Sequence, residues 1–277
     1  MPFHRFETVE AVRLTPHLSS AVAPLIEGKY LYFCLNQKKA GTGSELHYHP
    51  NELLIFTLTG TVNAVIGKDR KIVPPGTFIL IPPNVGHSLK ATEDGPCAYL
   101  YIKDQTWSVV GIAADEARPD KAMSVEEVNE KFDRGEIKDR KGEGGQTDAV
   151  SEMIVDGVPN CYYPILTSLQ QPFSAGSRRE WIEGQLCAFG FYELPNGYAE
   201  QSAGAEHEHF IYLLEGGLTA TVGNETADVA PGGIIEIPKG ARYELEAEKG
   251  VPTRLVLVRS TPFLEEQLAR EAMALAS

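Results

Sequence analysis

The sequence predicts an all-β protein made of two barrels in one chain, and three observations carry that prediction. The stretch from Gly28 to Pro96 recurs without a gap, at a constant offset, as Gly184 to Pro252. Phe33, Glu52, Gly60, Pro75, Gly76, Ile81 and Pro82 return as Phe189, Glu208, Gly216, Pro231, Gly232, Ile237 and Pro238. Both copies break into short runs rich in Val, Ile, Tyr, Phe and Thr, separated by Gly and Pro. Such runs at regular spacing, with no helical period inside either copy, specify strands of a sandwich or small barrel.

The first copy reads as the strands KYLYFCLNQ, ELLIFTLTG, TVNAVIG, KIVPPG, TFILIPP and AYLYIK. Ile66–Asp69 (IGKD) and Val222–Glu225 (VGNE) occupy matching positions and read as hairpin turns, with glycine supplying a positive φ. The expected division is a first barrel over residues 1–110, a linker over 111–150, a second barrel over 151–261 and a terminal helix over 262–277. In the linker, Ser124 and Glu127 form a capping-box pair, and Val125, Val128 and Phe132 then share a helical face that Gly135 closes. Lys138 to Asp148 is charged and glycine-rich, which suits a mobile connector on the outside or a lid over the first barrel. At the end of the chain, Thr261 caps a helix that starts with Pro262 and carries the stripe Leu264, Leu268, Ala272 and Leu275.

Composition excludes several classes of function. A net charge of −13, with no Lys/Arg cluster, opposes binding to a phosphate backbone or to anionic lipid. No run is apolar enough to span a membrane, and the N-terminus has no signal-like pattern, so a cytoplasmic location is expected. Cys34, Cys97, Cys161 and Cys187 lie far apart and form no CxxC pair, which fits buried thiols in a reducing compartment. A small-molecule substrate is the expected partner, and a homodimer is compatible with the sequence.

The chemistry should lie where the two copies differ. At the positions of His47, His49 and His87 the second copy has Ala203, Ala205 and Tyr243. Residues i and i+2 of a strand point to one side, so His47 and His49 face the barrel interior together, and His87 arrives from a neighbouring strand after a Pro-Pro-Asn turn. Three converging imidazoles suit one divalent transition metal: Fe(II), Mn(II), Ni(II), Cu(II) or Zn(II).

The sequence Gly41, His47-Tyr48-His49, Gly60, followed by Gly76, Pro82, Asn84 and His87, resembles the two motifs of the cupin superfamily, and the paired copies resemble bicupins. The resemblance implies two tandem jelly-roll (double-stranded β-helix) barrels. The family usually places Glu or Gln four residues after the second histidine, which here is Leu53. Alternation points Leu53 inward and Glu52 outward, unless a bulge near Pro50 turns Glu52 back. Glu208 recurs where no ligand pair exists, so a structural job is expected for this glutamate. Glu52 therefore stands either behind the three ligands or as a candidate fourth.

In the second copy, Glu206-His207-Glu208-His209 looks like a metal cluster, with Tyr243 as a further donor. Two histidines and a phenol make a poor donor set, and a hydrogen-bonded His209–Tyr243 pair in a vestigial or ligand-binding pocket is expected instead. Among cupins, three-histidine sites occur in non-haem Fe(II) dioxygenases, so Fe(II) and cleavage of a ring or C–C bond lead the functional expectation. A non-redox lyase, isomerase or hydrolase is the alternative, and a binding protein without turnover is a third reading. His4, His17, Trp107 and Trp181 carry no readable function in the sequence.

Overall fold

The computed structural model describes residues 1–143, 160–174 and 176–276. The part of the expected connector beyond residue 143, and the first residues of the expected second barrel, lie outside the described residues. The architecture is all-β, with two α-helices among the described residues.

The chain divides into two compact units. One contains residues 10–25 and 34–170, and the other contains residues 1–9, 26–33 and 171–277. The division is thus not the linear one drawn from the repeat, because two N-terminal segments belong with the C-terminal half. The strand Phe3–Arg5 explains the first of these: it pairs antiparallel with Gly233–Ile237, Phe3 opposite Ile235. Three residues outside the repeat leave too little pattern to reveal such a pairing in the sequence.

The first unit faces two sheets against each other. One sheet has the order Ile112–Ala113, His47–Tyr48, His87–Ala91, Val62–Ile66, Asp69–Val73. The other runs Tyr162–Pro164, Thr77–Ile81, Leu53–Thr59, Cys97–Asp104, Leu31–Lys38, Val22–Glu27, Ala11–Arg13. The expected hairpin forms, Ile66 paired with Asp69 across a turn in which Gly67 has φ 59°. A central strand such as Leu53–Thr59 is buried on both faces along nearly its whole length, so it reads as a continuous apolar run. The linker helix spans Val125–Asp133, with the Ser124 hydroxyl accepting from the Glu127 amide at 3.0 Å. Val128 is buried beneath it, and a bidentate Arg13–Asp133 pair at 2.9 and 2.6 Å fixes its end.

The second unit repeats the plan. Its larger sheet runs Phe3–Arg5, Gly233–Ile237, His209–Glu215, Thr253–Ser260, Cys187–Leu194, Arg178–Glu183, and its smaller one Ala199–Ser202, Tyr243–Ala247, Leu218–Val222, Glu225–Val229. Phe210 stacks on Phe33 at 5.2 Å, and Phe33 on Phe6 at 5.5 Å, which packs both N-terminal segments into this unit. Glu208 completes the attachment. Its buried carboxylate accepts from the backbone amides of Lys29, Tyr30 and Leu31 at 2.6, 2.9 and 2.9 Å.

The C-terminal helix Pro262–Ala276 starts as its sequence indicates, with the Leu264 amide donating to the Thr261 hydroxyl at 3.2 Å. Of the expected stripe, Leu264 is buried together with Glu265, Leu268 is half-buried and Ala272 is exposed. The four cysteines are all buried. No described helix is long and apolar enough to cross a membrane.

The Glu208 cap sets a test. Glu208→Ala removes the acceptor of three backbone amides, of which those of Tyr30 and Leu31 are buried, at roughly 1–3 kcal/mol for each buried amide. Denaturant unfolding should show a loss of several kcal/mol, with Glu208→Gln intermediate; an unchanged midpoint would refute the structural role.

Candidate metal centre

The three predicted histidines converge. His47 and His87 lie directly opposite in the antiparallel ladder, and His49 follows just beyond the end of its two-residue strand. Ring centroids are 4.9 Å apart for His47–His49, 4.5 Å for His47–His87 and 5.3 Å for His49–His87. Each ring offers a nitrogen within 4.8 Å of the others, and among the described residues no other His, Cys, Asp or Glu group forms such a cluster.

Local turns aim these rings. Asn84, the third residue of the Pro-Pro-Asn turn, adopts φ 63°, a left-handed conformation that asparagine tolerates better than most residues. Its amide donates to the His49 carbonyl at 2.7 Å, so one turn fixes the backbone of His49 and launches the strand that begins with His87. The second unit keeps this device without the ligands: Gly240, at φ 82°, donates to the carbonyl of Ala205 at 2.7 Å.

Hydrogen bonding and burial leave the rings ready to ligate. His47 Nδ1 lies 2.7 Å from the Glu45 carbonyl and His87 Nδ1 2.8 Å from the Val85 carbonyl. A carbonyl accepts, so Nδ1 carries the proton in both rings and Nε2 keeps its lone pair. His87 Nε2 and both ring nitrogens of His49 are buried with no hydrogen-bond partner. Burial lowers the His47 pKa to about 4 against a weaker pull from the Glu45 carbonyl, with Lys103 and Lys38 adding to the fall. Burial likewise pushes His49 and His87 well below the ordinary range. Three neutral imidazoles with orphaned nitrogens fit a divalent metal with bonds of about 2.0–2.1 Å.

Glu52 is not part of this cluster. It is buried, and its backbone amide donates to Asp104 Oδ2 at 2.7 Å. Leu53 is buried opposite Ile81 and Lys103. Tyr48 turns away, as alternation requires, its hydroxyl donating to the Glu116 carbonyl at 3.0 Å.

Several residues that shape the site did not stand out in the sequence. A small cavity of about 30 Å³ adjoins His47 and His87 and is lined by Ser19, Asn36, Lys38, Tyr99 and Tyr101 among others. Lys38 is buried and donates to the Ser19 hydroxyl at 2.9 Å; burial lowers its pKa to about 7. Asn36 Oδ1 is buried without a partner. Lys103 is fully buried and donates to Asn51 Oδ1 at 3.1 Å. The signal was polar residues at inward parity: Asn36 and Lys38 continue the phase of Cys34, and Lys103 continues that of Tyr99 and Tyr101. Gly111 closes the other side, where an added Cβ would sit 2.5 Å from His47 Cδ2 and 3.2 Å from His49 Cε1. The linker thus begins as a wall of the site, its strand Ile112–Ala113 pairing with His47–Tyr48. His17, also unread in the sequence, is buried, and burial lowers its pKa to about 4.

Residues 37–103 and 190–259 both match the model of the cupin domain. The chain is a two-barrel cupin. Among solved structures, oxalate decarboxylase from Bacillus subtilis shares the fold with a TM-score of 0.60 at 16% identity, over 94% of this chain and 76% of that one. AerE from Microcystis aeruginosa matches with a TM-score of 0.59 at 14% identity, over 91% and 96% of the two chains. These identities establish likeness of fold alone. Comparison with curated sequences gave no match.

Among the described residues, His207, His209 and Tyr243 of the second cupin barrel do not form a metal-binding cluster. His207 Nδ1 pairs with Glu265 Oε1 at 3.1 Å, which ties it to the C-terminal helix. The expected His209–Tyr243 bond is absent, because the Tyr243 hydroxyl donates to Glu200 Oε1 at 2.7 Å.

Two outcomes follow from the site's geometry. Gly111→Ala drives a methyl group into the His47 ring and should weaken metal binding without unfolding the chain; metal titration monitored by calorimetry checks this, and wild-type affinity would refute the contact. In metal-free protein the triad's folded pKa values lie below the unfolded ones, so the unfolded state binds more protons between about pH 6.5 and 4. Stability should therefore fall as pH drops through that window, by about 2 kcal/mol for His47 between pH 7 and 5. Unfolding in the presence of chelator should show a smaller drop for His47→Ala, and an equal drop would contradict neutral burial.

Proposed function

We propose that the first barrel is the catalytic one, a metal-dependent centre acting on a small carboxylate-bearing molecule. The observation that carries this reading is the pairing of a three-histidine cluster with a cavity of about 30 Å³ whose wall includes the buried Lys38 amine. A divalent ion held by three neutral imidazoles would supply Lewis acidity and open positions for an oxygen ligand. The rest of the work falls to the chain. Lys38, steadied by Ser19, is set to hold a carboxylate by a charge-assisted hydrogen bond. Asn36 Oδ1 is set to accept from a hydroxyl. Gly111 and the strand after it keep bulk water from the His47 and His49 rings, which strengthens every polar contact inside.

Cavity size selects the substrate class. A cavity of 150 Å³ holds a benzene ring, and one water needs at least about 10–15 Å³. A space of about 30 Å³ suits a few atoms of an organic acid and disfavours the aromatic rings of ring-cleaving dioxygenases. Oxalate decarboxylase from Bacillus subtilis, similar in fold, carries Mn(II) centres and is named for a two-carbon diacid. Manganese and cleavage without net oxidation of the substrate therefore weigh against the Fe(II) dioxygenase expectation, and the metal decides between them.

The test is metal analysis of anaerobically purified protein, followed by a screen of short mono- and dicarboxylates. About one metal per chain, lost in His49→Ala, is expected. Manganese, nickel or zinc would support non-redox chemistry, and iron oxidised on exposure to O2 would support a dioxygenase. Lys38→Met should retain the metal but weaken carboxylate binding roughly tenfold or more. No metal after reconstitution would overturn the proposal.

A further inference from the structure

The second barrel has lost its ligands without losing its interior. Ala203 and Ala205 stand where the first barrel has His47 and His49. A cavity of about 310 Å³ opens within this barrel, against about 30 Å³ in the first. That volume reaches the range of small-molecule pockets, about 300–1,000 Å³. Its floor is apolar, from side chains such as Leu194, Ile211 and Leu245, and its upper wall is aromatic.

The aromatic wall is built rather than incidental. Trp181 lies directly opposite Gly190, where an added Cβ would come within 3.2 Å of the indole, so glycine lets the ring settle closely onto the strand. Arg259 stacks on that indole at 4.6 Å, Tyr192 meets it edge-on at 5.8 Å, and Arg179 covers Tyr192 at 4.8 Å and Tyr198 at 5.3 Å. Flat faces and guanidinium groups thus alternate along one side of the opening.

The polar groups divide into satisfied and unsatisfied ones. Glu200 accepts from the hydroxyls of Tyr198 and Tyr243, and Arg179 lies 3.9 Å from it, so its charge is already engaged. Arg259 spends one terminal nitrogen on Glu183 at 2.9 Å, but its Nε–H is buried without an acceptor. His209 Nδ1 is also buried without a partner. A buried donor left unpaired costs free energy that an oxygen acceptor would recover.

We infer that the second barrel binds a small aromatic carboxylate, its ring lying against Trp181 and its carboxylate accepting from Arg259 Nε–H. The aromatic wall supplies stacking, the apolar floor takes the far edge of the ring, and His209 is placed to meet a ring substituent. The pocket requires no metal. The chain then carries a catalytic barrel for a small acid and a separate recognition barrel for a larger one.

Trp107 and Trp181 are the two tryptophans of the chain, so Trp107→Phe leaves Trp181 as the single indole reporter. This protein would be titrated with benzoate and 4-hydroxybenzoate, with benzylamine and acetate as probes of charge and of aromaticity. The expected result is saturable quenching by the two aromatic carboxylates, 1:1 stoichiometry by calorimetry, and no change on metal chelation. Arg259→Gln should weaken binding roughly tenfold or more. Trp181→Leu, read by calorimetry, should do the same and stands in if the arginine variant fails to fold. No binding of either aromatic carboxylate at millimolar concentration would overturn the inference, as would benzylamine binding as tightly as benzoate, or wild-type affinity in both variants.

Discussion

Three imidazoles buried against one another, with ring nitrogens that find no hydrogen bond, are the constraint on which the first unit depends. Buried polar nitrogens without partners are costly, and a cation shared by three neutral rings would recover that cost. The surrounding structure serves the arrangement. A left-handed Asn84 fixes both the His49 backbone and the approach to His87, carbonyls of Glu45 and Val85 set two tautomers, and Gly111 leaves room for two rings.

The second unit shows what the same scaffold becomes when that constraint is lifted. The turn at Gly240 still reaches the carbonyl of Ala205, but Tyr243 pairs with Ser202 and not with Ala203, so only part of the ligand-presenting backbone is kept. Alanines stand at two of the ligand positions, and aromatic and guanidinium groups line the cavity of this barrel. Glu208 shows which part of the motif is architectural: its carboxylate caps three backbone amides in a barrel with no metal ligands.

Charge inside the first barrel is the other organising feature. Lys38 and Lys103 are both buried in a chain whose net charge is −13. Both disfavour protonation of His47, and Lys38 also offers the cavity a cationic or neutral donor close to neutrality. Lys38 donates to the Ser19 hydroxyl and Lys103 to Asn51 Oδ1, which hold the two amines in place. Positive groups at the end of a small enclosed space favour anionic oxygen ligands.

By itself the sequence determined the strand content, the duplication, the three histidines and the two helix starts. These follow from local rules: period-two alternation, glycine at positive φ, an i, i+2 pair on one strand face, and hydroxyl caps. Which unit claims residues 1–9 and 26–33, where Glu208 points, and which polar residues line each interior were decided only by tertiary structure. The pairing of Phe3 with Ile235, the meeting of Arg259 with Trp181 and the contact of Gly111 with two imidazoles join residues distant in the chain. No local pattern encodes such meetings, because they depend on how strands order themselves across a sheet, and that order fixes what each barrel can hold.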